Sequence, residues 1–133
     1  MDLNLSVGMA AEKSEVVTGE NTAIKYGSGS VAVYATPAMI GLMEGAAVKC
    51  VDPHLPEGMG TVGVEVRVRH MAATPVGLAV RATAELVEID GKRLVFTVKA
   101  FDEREQIGEG THERYVVGIG RFLEKAGAKG LKG

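Results

Sequence analysis

Between residues 37 and 48 of this 133-residue chain, PAMIGLMEGAAV, one side chain in twelve is charged, and it sits near the middle of the run. Thr36-Pro37 before it reads as a helix start, with Thr accepting a backbone N–H at the cap and the ring-fixed φ of Pro already helical. The helix is predicted over residues 37 to about 51, stopping before Pro53. The apolar run is much shorter than the roughly 20 residues a bilayer requires and is flanked by Pro and VDPH, so a core helix is expected and no membrane association. A helix apolar nearly all round must be covered nearly all round. A curved sheet covers part of that surface, and a second copy of the chain is expected to cover the rest. Gly41 and Gly45, four apart on one face, permit close approach either to such a neighbour or to the concave face of the sheet.

The residues around this helix read as strands. KSEVVT, residues 13–18, is a first strand, and GENTAIKYGSGS after it reads as a turn, a short extended piece and a Gly/Ser loop. In TVGVEVRVRHMA, Val62, Val64, Val66 and Val68 alternate with Glu65, Arg67 and Arg69, the period of a half-buried antiparallel strand. His70 shares the parity of the valines. Leu78, Val80, Ala82, Ala84 and Leu86 line a second inner face, Asp90-Gly91 is a hairpin turn, and Leu94, Phe96, Val98 and Ala100 continue that face. QIGEGTHERYVV is the last strand, its glycines allowing a bulge or close backbone approach. RFLEKAGAKGLKG begins as a short helix; fraying is expected over residues 1–7 and 123–133. The expectation is a single α+β domain over residues 1–133, with an antiparallel sheet wrapped around one long central helix.

Composition then removes several functions. Fifteen basic and 17 acidic residues give a net charge of −2, Trp is absent and aromatics are 5%, so the basic stripe and stacking platform of a nucleic-acid binder are missing. One cysteine forms no internal disulfide, and MDLNLSVGMAAEKSE lacks a basic segment followed by an apolar one, so a cytoplasmic location is expected. Cys50 and His54 have helical ligand spacing, but Pro53 interrupts them and no third ligand is evident; no metal and no separate cofactor are expected. Cys50 itself reads as a buried, inert thiol. GSGS at 27–30 does not open a helix and reads as a flap rather than a phosphate cradle.

Three groups remain for chemistry. An ionised carboxylate buried without partners costs several kcal/mol, so Glu44 is protonated, hydrogen-bonded or open to a solvent-filled pocket. On a solvent-facing helix stripe it is a surface residue; at the end of an apolar pocket it is a base or nucleophile, and the uncharged run around it favours the second. His70 sits on the valine face, where a lone histidine is more often a hydrogen-bonded core residue than a catalyst. Thr36 lies beside the positive end of the helix, a place suited to a carbonyl oxygen acquiring charge. Thr36 and Glu44 are eight residues apart, about 12 Å of rise, so they do not touch on a straight helix. If both serve one site, the substrate bridges them or a second subunit supplies one. His112 and Arg114 share a strand face with Gly108 and Gly110, either as a salt-bridged edge or as a contact for an anionic ligand group.

GLMEGAAVKCVDPHL, VRHMAATPVG and IGEGTHERYVV together resemble the hotdog-fold thioesterases, specifically the fluoroacetyl-CoA thioesterase-like group, over about residues 31–118. The resemblance implies a dimer that hydrolyses acyl-CoA thioesters at the subunit interface, coenzyme A entering as part of the substrate. The catalytic Thr, Glu and His of that group fall on Thr36, Glu44 and His70, with Glu44 as nucleophile or base, His70 as proton shuttle and Thr36 as an orienting group. Gly63 matches a glycine whose N–H lies near the thioester carbonyl, and Arg114 matches an arginine of the last strand. Before the helix the fluoroacetate-specialised member is longer and carries aromatics that close over the acyl group, whereas this chain has YGSGSVAVY. Tyr34 is either a partial substitute lid or a side chain packed beside the helix start. The expected function is therefore hydrolysis of a short-chain acyl-CoA by a homodimer or higher oligomer. A non-catalytic acyl-CoA-binding module and a hotdog dehydratase are the alternatives.

Overall fold

The structure, a computed structural model, describes residues 2–130. One antiparallel sheet has the strand order β1-β3-β4-β5-β2, with β1 Ala10–Val16, β2 Met59–His70, β3 Ala79–Asp90, β4 Arg93–Asp102 and β5 Gln106–Gly118. Helix α2, Thr36–Val51, lies on its concave face, chiefly against β1 and β3. Ala38, Met39, Leu42, Met43, Ala46, Ala47, Cys50 and Val51 of the helix meet Val80, Ala82, Ala84 and Leu86 of β3 and Leu94, Phe96, Val98 and Ala100 of β4 in one core. The inner faces of β3 and β4 are those the alternation predicted. Asp90 pairs with Arg93, so Gly91, with φ of 60°, begins the two-residue turn that needs a left-handed residue.

Three local expectations are corrected. β1 starts at Ala10 rather than at 13, because its pairing with β3 extends to Ala10 opposite Glu85. Residues 23–26, read as extended, form the one-turn helix α1, Ala23–Tyr26, whose N-terminus is capped by Thr22 accepting from the Lys25 N–H at 3.3 Å and whose end is closed by Gly27 in the left-handed region. The pair Thr22 and Gly27 is the cap signature that marks it. The third correction concerns β2. Its register with β5 slips between Gly63 and Glu65, leaving Val64 as an extra residue. Val62 is opposite Tyr115, while Gly63 is opposite the buried Arg114 and Val66 opposite the buried His112. The bulge thus inverts the strand's parity: Thr61 and Gly63 face inward before it, Val66, Val68 and His70 after it, and the four valines do not share a face.

The chain end forms α3, Ile119–Gly127, and a 3-10 turn over Ala128–Gly130, while Leu3 and Leu5 near the start pack against the core. Residues 1 and 131–133, part of the segments expected to fray, lie outside the described residues.

β2 is an edge strand, and its inner face is not closed by the chain itself. Val66 is 38% exposed and Val64 56%. The glycines of β5 do what their spacing implied. A Cβ on Gly108 would overlap the Met39 side chain, and one on Gly110 would overlap the Arg67 carbonyl oxygen and Val68 of β2. Because those obstacles at Gly110 are largely backbone, Gly110→Ala is expected to lower the unfolding free energy by about 1–3 kcal/mol in urea denaturation, and an unchanged midpoint would contradict this close approach.

Candidate active site

Two polar clusters sit along α2. At its N-terminus the Thr36 hydroxyl is 2.7 Å from His70 Nδ1 at the end of β2. Thr36 is the first helical residue rather than the cap: Ala35 holds the cap position, extended at φ −76°, and no side chain caps the helix. The Thr36 hydroxyl therefore serves His70 instead of a backbone N–H. His70 Nε2 is buried without a partner among the described residues. A ring nitrogen so placed carries a desolvation cost unless another group reaches it.

Two turns further on, Glu44 points toward the seam between β2 and β5. Its Oε2 is 3.7 Å from Arg114 Nη1 and 3.9 Å from His112 Nε2, and its side chain remains 39% exposed. A Cβ on Gly63 would fall 2.7 Å from the same oxygen, so only glycine leaves the carboxylate this room. His112, 1% exposed, stands at 2.8 Å from the Glu65 carbonyl through Nδ1 and at 3.1 Å from Arg114 Nη1 through Nε2. A carbonyl only accepts and a guanidinium only donates, so His112 is neutral with its proton on Nδ1. Arg114 also donates from Nε to the Thr61 hydroxyl at 2.8 Å and from Nη2 to the Thr61 carbonyl at 3.0 Å. The Thr61 hydroxyl in turn donates to Asp52 Oδ1 at 2.6 Å, and its N–H to Oδ2 at 3.2 Å.

The sequence-derived set is thus divided. Thr36 joins His70, and Glu44 joins Gly63 and Arg114. Within one chain the two groups lie at opposite ends of a two-turn stretch of helix, both on the side toward the uncovered face of β2. Tyr34 belongs to neither group: its ring is buried and its hydroxyl donates to Glu15 on β1, whose charge, after burial itself, raises the phenol above its ordinary value. That is packing beside the helix start. Cys50 is buried and burial raises its thiol, which suits an inert residue. Among the described residues no group of three or more His, Cys, Asp or Glu side chains comes together as a metal site. Asp52 and Thr61 were not singled out by sequence. Asp52 reads as a helix-stop residue in VDPH, and Thr61 takes the solvent parity if the strand is assumed regular.

A helix held in the concave face of a five-stranded antiparallel sheet, with carboxylate and imidazole on its open side, defines the class: a hotdog-fold thioesterase. A thioesterase superfamily member from Thermus thermophilus aligns at a TM-score of 0.85 with 30% identity, over 92% of this chain and 91% of that one. The chain belongs to the fluoroacetyl-CoA-specific thioesterase family, whose model matches residues 17–119, and it has the thioester hydrolase fold and architecture of that family. The fluoroacetyl-CoA thioesterase of Streptantibioticus cattleyicolor is 46% identical over 97 residues, 73% of this chain and 70% of the relative. A variant of the fluoroacetyl-CoA thioesterase solved in complex with acetyl-CoA has a TM-score of 0.89 and 38% identity over 94% of this chain and 98% of that one.

Burial also sets a pH dependence. Desolvation holds His70 and His112 below the ordinary value of 6.5, and for His112 it outweighs the Glu65 carbonyl and the Glu44 charge, which act in the opposite direction. In the unfolded chain both regain that ordinary value. The unfolded state therefore binds more protons as the pH falls through 6.5, so this share of stability is whole above that value and declines below it. The melting temperature is expected to fall on going from about pH 7 to about pH 5, and less steeply in His112→Gln. An identical slope in the variant would contradict the burial of a neutral imidazole.

Proposed function

We propose that this protein hydrolyses short-chain acyl-CoA thioesters in a site completed by two copies of the chain. The observation that carries the reading is the division of the site: Thr36 with His70 and Glu44 with Gly63 lie on one side of one helix, about 12 Å of rise apart, beside an edge strand whose inner valine is exposed. If two β2 edges pair antiparallel about an axis at Arg67, with the bulge at Val64 taking up the extra residue, His70 of one subunit comes opposite Gly63 of the other. Each imidazole then faces the carboxylate beside that glycine, and the unpartnered Nε2 of His70 gains a polar environment. The same pairing covers Val64, Val66 and the open stripe of α2. A homodimer is the minimum assembly on this reading.

The acyl carbonyl lies at the bulge after Gly63, where the extra residue leaves a backbone N–H free of the ladder to stabilise charge on oxygen. Glu44 removes a proton from water as it adds to the carbonyl, or adds itself to give an anhydride that water cleaves. The C–S bond breaks in either route: in the first, the proton taken from water passes through His70, positioned by Thr36, to the departing thiolate; in the second, the thiolate leaves first and His70 passes it the proton released when water cleaves the anhydride. These steps use side chains and water only, with coenzyme A supplied by the substrate. The lone cysteine, buried, suits a reducing compartment, and the cytoplasm is the location assigned. The family match makes fluoroacetyl-CoA and acetyl-CoA the first compounds to try, and their relative rates decide acyl preference.

The test is free-thiol release from acetyl-, fluoroacetyl-, propionyl- and butyryl-CoA. Glu44→Gln and His70→Ala are each expected to lower kcat by about 10²- to 10⁴-fold with little loss of thermal stability, the range for removing a positioned acid or base. Wild-type rates in both variants would refute the assignment, and a fully active monomer in sedimentation would remove the shared site.

A further inference from the structure

The mechanism above uses Glu44, His70, Thr36 and the backbone at Gly63, and leaves unassigned a buried polar chain behind them. We propose that Asp52, Thr61 and His112 are positioning residues that fix the guanidinium of Arg114 so that one N–H edge is held toward Glu44 at the reacting end of the site. This rests on the thioesterase reading and deepens it.

Arg114 is 6% exposed and sits on the inner face of the sheet. A guanidinium carries five N–H donors in a rigid plane, and each that is buried without an acceptor is costly. Three are taken: Nε by the Thr61 hydroxyl at 2.8 Å, Nη2 by the Thr61 carbonyl at 3.0 Å, and Nη1 by His112 Nε2 at 3.1 Å. These contacts come from two sides of the plane's edge, so the group has no freedom to rotate. His112 is itself locked by the Glu65 carbonyl at 2.8 Å and lies at 6.2 Å, centroid to centroid, from the Phe96 ring. Asp52 grips Thr61 through both carboxylate oxygens, at 2.6 and 3.2 Å, which commits the hydroxyl proton to Asp52 and leaves the oxygen lone pair for Arg114. The negative charge of Asp52 is thereby one hydroxyl away from the guanidinium.

The consequence lies at Nη1, 3.7 Å from Glu44 Oε2. That separation is an ion pair rather than a hydrogen bond, so Glu44 is steered without being capped and its oxygen stays available to water or carbonyl. Because the same oxygen lies over Gly63, in space that a Cβ would fill, a small rotation of Arg114 misplaces the carboxylate relative to the scissile carbon. Misplacement of that kind lowers the chemical step and spares substrate binding.

The experiment compares Thr61→Val, Thr61→Ser and Asp52→Asn with wild type on whichever acyl-CoA the wild type turns over fastest. Thr61→Val keeps the shape and removes the hydroxyl; its kcat is expected to fall about tenfold or more with KM within about twofold. Thr61→Ser restores the hydroxyl and is expected to recover kcat to within about threefold of wild type. Asp52→Asn keeps an acceptor and removes the charge, so a smaller kcat loss at unchanged KM is expected, and it replaces Thr61→Val if that variant does not fold. Thr61→Val with wild-type kcat, or with kcat no lower than that of Thr61→Ser, overturns the positioning role and leaves the thioesterase reading standing. A folded wild type that releases no thiol from any acyl-CoA overturns the thioesterase reading, and this proposal with it.

Discussion

A guanidinium buried on the inner face of a sheet imposes the condition on which the rest of the site depends: its donors must be met by acceptors that do not move. Arg114 meets that condition with Thr61, His112 and, through Thr61, Asp52. Its remaining edge makes the position of Glu44 tolerable, since a carboxylate in the uncharged stretch of a helix needs a nearby positive charge or water. The carboxylate has both, an ion pair on one side and partial exposure on the other. Burying it fully would cost more than one contact at 3.7 Å returns, which is why the helix does not sink Glu44 into the core with Met43 and Ala46.

The bulge at Val64 is the backbone counterpart of this arrangement. His70 lies seven positions after Gly63, an odd offset, so a regular strand would send them to opposite faces. One extra residue between Gly63 and Glu65 turns both inward. The same strand then presents a glycine to Glu44 and an imidazole to Thr36, at two stations along one helix. It also leaves the strand's inner face uncovered at Val66, which ties completion of the site to association of two chains in the reading proposed above.

Much of this was legible in the sequence because it followed from period and punctuation. The helix ends are where Pro37 and Pro53 bracket them, and the inner faces of β3 and β4 follow strict alternation. Glu44 was conspicuous through its charge among uncharged neighbours, and His70 through its valine parity. What escaped depends on pairing between distant segments. The bulge is set by the register of β2 on β5, and nothing local in TVGVEV announces an extra residue. Asp52 and Thr61 are linked only because the helix end folds back on the start of β2. Thr36 looked like a cap, and only the return of β2 at His70 gives its hydroxyl a different partner. Tyr34 carried two readings until Glu15 on β1 resolved them in favour of packing.

The central claim is that one chain's carboxylate works with the other chain's imidazole, and subunit mixing tests it most directly. Glu44→Gln and His70→Ala homodimers, each inactive, are combined under conditions that let subunits exchange. A mixed dimer then holds one site with both groups intact, and random pairing of equal amounts restores about a quarter of wild-type turnover. If Glu44 and His70 of the same chain act together, every site in the mixture carries a defect and no activity returns, which would contradict the account.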